Sequence, residues 1–243
     1  MKNKKINIII PCLNEEKRLV NTLKDYNEFL KIPFAKQHHF KLYIIDDGST
    51  DNTAKVANHN ITKFQIDGVV ISYDKRRGKG YAVKYGMLNS SQADYYYMAD
   101  SDGAAGWESL EKLYNNLPAN KVGCVIGSRY TSDAMVKNTL IRKTFGKFSQ
   151  LLTMLILGIN VQDTQCGYKL FSKECLEAFK LQTIEQWGFD FEILFLLQKM
   201  NFSIVEVGIK WKSIEDSRLK PIDYYKTLKE LIKVRLTKYN SIN

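Results

Sequence analysis

The 243-residue sequence lacks the marks of a stapled, fibrous or membrane-spanning protein. Its four cysteines (Cys12, Cys124, Cys166, Cys175) form no CxxC pair and no zinc spacing, and its three histidines (His38, His39, His59) do not cluster with them. That excludes a disulfide framework and a zinc module, and leads us to expect free thiols in a reducing compartment. Four prolines and 14 glycines without an internal repeat exclude collagen-like and low-complexity chains. Long apolar runs are missing too. The strongest, Leu151 to Ile159, falls well short of the ~20 residues that a membrane-spanning helix needs. The basic start, Met1 to Lys5, is followed by an apolar run, Ile6 to Pro11, that is too short for a signal-peptide core. Neither export nor a membrane span is expected.

What the chain does have is 44% hydrophobic residues and a formal net charge of +10. The first suits one globular unit with a full core. The second calls for an acidic partner: nucleic acid, an anionic membrane surface or a phosphorylated ligand. The surplus is localised. Residues 129 to 150 carry five basic and one acidic side chain, and residues 209 to 243 carry nine basic and four acidic. Both windows border or contain apolar helical patterns, and the 14 tyrosines sit in no RNA- or DNA-binding motif, so nucleic acid is set aside.

Short β-rich runs alternate with helical patterns over the first half. Strands are expected at Ile6 to Pro11, Lys41 to Asp46, Val69 to Tyr73, Asp94 to Ala99 and Val122 to Gly127. Helices are expected between them at Glu15 to Lys31, Thr50 to Asn58, Gly80 to Asn89 and Trp107 to Leu117. Ile6 to Ile10 and Leu42 to Ile45 are almost continuously apolar, as befits strands covered on both faces of a parallel sheet. The fold class is therefore α/β, Rossmann-like, with ligand-binding loops gathered at the carboxyl ends of the strands. The second half adds helices near Thr139 to Leu157 and Phe189 to Met200, and a closing basic amphipathic helix over Ile222 to Tyr239.

Three acidic or basic clusters fall where those strands end. Asp100-Ser101-Asp102-Gly103 follows a strand; in an extended segment residues i and i+2 point to the same side, so two carboxylates converge. Such hard oxygen ligands suit Mg²⁺ or Mn²⁺. Asp46 and Asp47 lie between a buried strand and a helix start, placed to accept hydrogen bonds from a nucleobase and ribose hydroxyls, while Ser49 or Asp51 caps the helix. Lys75 to Gly80 offers Lys79 between two glycines to a diphosphate; its spacing excludes a Walker-type phosphate loop. After the first strand, Asn14 is an expected helix cap, and Glu15 and Glu16 favour the helix dipole.

Together these segments resemble the family 2 glycosyltransferases of the GT-A fold, whose PxxNEE, VDDGSTD, GKG and DxD elements read here as residues 11–16, 45–51, 78–80 and 100–102. Further along, Gly127-Ser128-Arg129, Asp163 to Phe171, Trp187 to Glu192, Glu206-Val207 and Trp211 look like the branch that glucosylates dolichyl phosphate and polyprenyl-phosphate relatives. The resemblance implies a GT-A domain over 1–212, with a nucleotide-sugar half at 1–128 and an acceptor half at 129–212. Residues 213–243 then form a basic helical appendage. It implies donor contacts from Pro11, Leu13, Glu15, Asp46, Asp47, Lys79, Asp100 and Ser101, with UDP-glucose the favoured donor and metal on Asp100 and Asp102. Two departures stand out: an amino-terminal membrane anchor like that of the eukaryotic enzymes is not expected, and Ser101 replaces the middle residue of DAD. Ala104 also occupies the fifth place of the mannosyl branch's DxDxQ, which removes a third protein metal ligand there.

The implied reaction is an inverting transfer in which Asp102, Asp163, Asp190 and Arg129 are the catalytic candidates. A lipid-phosphate acceptor needs no base, and Arg129, Arg142, Lys143 and Gln165 are candidates to hold it. A sugar hydroxyl instead requires a carboxylate base, for which Asp163 and Asp190 are placed; otherwise Asp163 ties down its loop and Asp190 caps its helix. The apolar stretch Phe145 to Ile159 beside basic residues fits a helix lying in a membrane interface, so a peripheral location on the cytoplasmic membrane face is expected.

Overall fold

A computed structural model describes residues 3–136, 150–212 and 221–239, with side chains from residue 226 onward in the last segment. Seven strands form one sheet in the order β3-β2-β1-β4-β7-β5-β8. They are β1 (Lys5–Cys12), β2 (His39–Asp46), β3 (Gly68–Ser72), β4 (Tyr95–Met98), β5 (Cys124–Ser128), β7 (Lys169–Ser172) and β8 (Ile204–Gly208). All pairs are parallel except those of β7, which runs antiparallel between β4 and β5. A two-stranded ribbon pairs β6 (Met135–Val136) with β9 (Lys210–Trp211). The mostly parallel α/β sheet expected from the apolar runs is present; the antiparallel strand inserted in its middle had no local signature.

Alternation along the strands builds two cores. Ile6, Ile8 and Ile10 of β1 join Leu42 and Ile44 of β2 on one face, packed under α1 (Glu16–Phe29), α2 (Thr53–Lys63) and α4 (Glu108–Asn115). Ile9, Tyr43 and Ile45 point the other way, toward α3 (Lys79–Asn89), α5 (150–157), α6 (Leu176–Leu181), α7 (Phe189–Lys199) and α8 (Pro221–Leu236). Both faces of the sheet are therefore covered, which is why its central strands read as unbroken apolar runs.

Two local expectations change. Asn14 does not cap α1: the helix starts at Glu16, and Asn14 adopts φ 54° while its Oδ1 accepts the Thr50 amide at 2.8 Å. The asparagine thus binds the neighbouring loop in place of its own helix. Asp51 does serve the start of α2, accepting the Thr53 amide at 2.9 Å. Of the long helix expected at 139–157, residues 150–157 are helical and the remainder lies outside the described residues.

The basic helix α8 is docked by its own apolar stripe. Leu231 and Val234 are buried in the second core, Glu230 accepts the Gly188 amide at 2.7 Å, and the Tyr239 hydroxyl donates to Glu192 at 2.9 Å. Leu231→Ala should therefore lower stability by ~2–3 kcal/mol, toward the low end for buried leucines because the site borders solvent. Urea unfolding checks this, and an unchanged midpoint would make α8 a loose appendage.

Candidate active site

Strand order reverses between β1 and β4, and β1, β2, β3 and β4 all end on the same edge. Ligands of open α/β sheets bind in such a crevice. Here that edge carries residues 11–16, 46–51, 75–79 and 100–103 together, so four segments distant in sequence form one wall.

Much of the wall is held by its own hydrogen bonds. The Asn14 amide donates to Ser49 Oγ at 2.9 Å, and Glu16 accepts the Asn52 amide at 3.0 Å, so the first two motifs interlock. Pro11 and Glu15 are buried and Leu13 is half-buried beside them. Asp46 accepts the Ser49 amide at 3.1 Å. Asp47 is more committed: it accepts the Tyr73 hydroxyl at 2.9 Å and the amides of Arg77 at 2.7 Å and Gly78 at 2.8 Å. Through these three donors Asp47 ties the basic loop to the sheet. Gly48, at φ 68°, lies so close to the backbone of Lys75 and Arg76 that a side chain there would collide with it.

At the end of β4 the Ser101 carbonyl accepts the Thr22 hydroxyl at 2.7 Å, and Gly103 turns the chain at φ 67°. Asp100 and Asp102 are half-buried. Lys79 Nζ lies 2.6 Å from Asp100 Oδ1. Burial lowers the Lys79 ammonium, but Asp100, Asp190 and Asp102 together outweigh it and hold its pKa above the ordinary lysine value. Burial and the neighbouring Asp100 charge push Asp102 above the ordinary carboxylate value, opposed by the Ala104 amide, Lys79 and Arg18. Two carboxylates that repel each other in a partly dry setting offer hard oxygen ligands of the kind a divalent cation takes.

The acceptor-half candidates occupy a second cluster. Asp163 accepts the Arg129 amide at 3.0 Å, Nε at 2.7 Å and Nη2 at 2.8 Å, while its own amide and that of Gln162 donate to Glu206 at 2.7 and 2.8 Å. The Arg129 guanidinium also lies over Trp211, 5.0 Å from the ring centre. Asp190 is buried against Lys169, whose ammonium also bonds the Cys166 carbonyl. It does not cap α7, where Gly188 is the cap; its partner is the lysine of a neighbouring strand. Gln165 is half-buried in the same loop. Arg142 and Lys143 lie outside the described residues.

Sequence reasoning passed over Thr22, Tyr73 and Lys169. A lysine next to Leu170 and Phe171 is the one with a legible signal, because a charge inside an apolar strand needs a partner.

The glycosyl transferase family 2 model matches residues 7–179, most of the chain. The chain belongs to that family. The glycosyltransferase is 36% identical over 243 residues to a dolichyl-phosphate beta-glucosyltransferase of Dictyostelium discoideum, covering 95% of this chain and 73% of that protein. It is 32% identical to the enzyme of the same name from Homo sapiens, over 96% of this chain and 75% of the relative. Among solved structures it is similar to glucosyl-3-phosphoglycerate synthase from Mycobacterium tuberculosis in complex with UDP. The TM-score is 0.69 at 17% identity, covering 98% of this chain and 82% of that one. The same synthase with Mn²⁺, UDP-glucose and phosphoglyceric acid gives 0.66 at 19% identity, covering 98% and 81%. These likenesses establish the GT-A type of fold for this glycosyltransferase.

Asp47→Ala should raise the donor KM several-fold with little change in acceptor KM, because it frees the loop that carries Lys79. Steady-state kinetics with each substrate varied in turn checks it; a normal donor KM would show that the loop holds its place without Asp47.

Proposed function

We propose that this glycosyltransferase moves glucose from UDP-glucose to the phosphate of dolichyl phosphate or a related polyprenyl phosphate. The observation that carries this reading is the similarity to dolichyl-phosphate beta-glucosyltransferases along 95–96% of the chain. The carboxylate and lysine edge of the sheet gives that similarity a chemistry.

Asp100 and Asp102 fit a divalent cation, offering two hard ligands whose repulsion a cation relieves. Bound Mg²⁺ or Mn²⁺ would stabilise the charge that develops on the departing diphosphate. Lys79, positively charged beside Asp100, adds a fixed cation at the same edge. Pro11, Leu13, Glu15, Asp46 and Ser101 line the edge around it, and Asp47 steadies the lysine's loop.

The acceptor reading follows from proton bookkeeping. A phosphate monoester has a second pKa of ~6, is largely dianionic at neutral pH and attacks without a base. Asp163 and Asp190 are each engaged by a buried or half-buried cation, which supports an organising role for them in preference to proton abstraction. Arg129 gives Nε and Nη2 to Asp163; its Nη1 group, which has no hydrogen-bond partner among the described residues, is offered in this proposal to an acceptor phosphate, with Gln165 on the same loop. Arg142 and Lys143 join it in this proposal on sequence alone.

A donor and acceptor screen tests the reading. UDP-glucose with Mn²⁺ and dolichyl phosphate should give product, and Asp102→Asn or Asp100→Asn should lower turnover by at least ~100-fold, the scale of losing a positioned electrostatic contact. Transfer to a soluble sugar alone, abolished by Asp163→Asn or Asp190→Asn, would reassign the acceptor to a hydroxyl.

An anionic membrane surface completes the proposal. No described helix is long and apolar enough to cross a membrane. Yet α5 exposes Leu151, Met154 and Leu155, and α8 exposes Leu228, Ile232 and Leu236 among Lys226, Lys229, Lys233, Arg235 and Lys238. An apolar stripe fringed by lysines suits the headgroup region of an anionic leaflet, at the cytoplasmic face in this reading. The protein should float with anionic liposomes at low salt and release as salt rises. Equal recovery with neutral liposomes at every salt concentration would remove the electrostatic part.

A further inference from the structure

Strand β7 meets β4 antiparallel, with Met98 opposite Lys169 and Tyr97 opposite Leu170. Carried past the strand ends, that register sets Ala99 opposite Tyr168 and Asp100 opposite Gly167. All four residues of each of these strands are buried. A Cβ built on Gly167 would overlap the Asp100 carboxylate, meeting Cγ and both oxygens. No backbone atom is among those nearest contacts. The backbone of one half of the enzyme therefore closes directly on a carboxylate of the other.

The segment that bears Gly167 is held from several sides. Asp163 is clamped by Arg129, and the Gln162 and Asp163 amides are bound by Glu206. The Gly127 amide donates to the Tyr168 carbonyl at 2.8 Å, and Lys169 holds the Cys166 carbonyl. With the loop fixed and Gly167 bare, the Asp100 carboxylate occupies the space left for it and meets Lys79 at 2.6 Å.

We propose that Gly167 is a positioning residue for Asp100: the missing side chain lets the acceptor-half loop act as a backstop that orients this carboxylate for cation binding. The inference rests on the reading of Asp100 and Asp102 as the metal-binding pair. It separates two roles for the glycine. The predicted overlap involves only the tip of a half-buried side chain, which can rotate toward solvent, so an added methyl group should disturb the orientation of Asp100 more than the backbone.

Mn²⁺ binding to the full chain without donor, followed by electron paramagnetic resonance, tests the idea independently of turnover. Gly167→Ala should weaken Mn²⁺ by about tenfold or more, the range for losing a group that orients a ligand. Its thermal midpoint should stay near that of the parent. In an Asp100→Ala background the same substitution should change neither Mn²⁺ affinity nor melting, because the atoms it displaces are gone. Parental Mn²⁺ affinity in Gly167→Ala, alongside weakened binding in Asp100→Asn, would overturn the role of Gly167 and leave the metal pair standing. Parental affinity in Asp100→Asn would overturn the metal pair and this inference with it. Should Gly167→Ala fail to fold, Asp100→Ala/Gly167→Ala decides: folding like Asp100→Ala upholds the contact, and failure of the double variant assigns Gly167 to the backbone and overturns it.

Discussion

The pairing of Lys79 with Asp100, at 2.6 Å, is the contact on which the two halves of the molecule converge. Lys79 begins α3, Asp100 follows β4, and the loop leading into β7 packs behind the carboxylate. Around this pair Asp102 lies beside Asp100, and Asp190 acts on Lys79 and is itself bound to Lys169. Burial works against the charged form of Lys79, and the carboxylates of Asp100, Asp190 and Asp102 outweigh it. The fully buried link from Lys169 to Asp190 places the strongest demand on the fold, since removing one partner of a buried pair costs ~3–5 kcal/mol through the charge left behind. With side chains of Lys169 and Asp190 only 1% and 4% exposed, that pair is the structural floor of the site.

The same logic links the basic loop to the far side of the enzyme. The Tyr81 amide donates to the Glu185 carbonyl at 3.0 Å, Gln186 donates to the Arg77 carbonyl at 2.6 Å, and Gln182 donates to the Gly80 carbonyl at 2.9 Å. Residues 182–186 are in turn held by Glu192, which accepts both amides of Thr183 and Ile184 and receives Tyr239. The segment that follows the last described helix and the loop that leads into Lys79 thus share one set of polar contacts. A helix that carries the exposed apolar and basic surface is consequently built into the scaffold of the site.

Arg129 and Asp163 form a bidentate pair walled by Trp211 and Glu206, a rigid unit beside the sugar-transfer edge. Two carboxylates that read as candidate bases are each neutralised by a cation, and this favours an acceptor that arrives already charged. Lipid phosphate meets that condition, and an alcohol does not.

The parallel strands, the order of their connecting helices and the acidic and basic clusters at their ends were all legible in the sequence. Each is a local pattern, either apolar runs of strand length or charges placed directly after them. The partners of those charges were not legible. Asp47 binds Tyr73 and the amides of Arg77 and Gly78, partners its own segment does not reveal; Asn14 looked like a cap and bound Thr50. Lys169 gave a weak signal, and its partner Asp190 lies 21 residues away. Only the tertiary structure decided these pairings, because an antiparallel strand entering the middle of a parallel sheet leaves no mark on its own four residues. Which carboxylate it faces depends on register, and that register joins strands far apart in the chain.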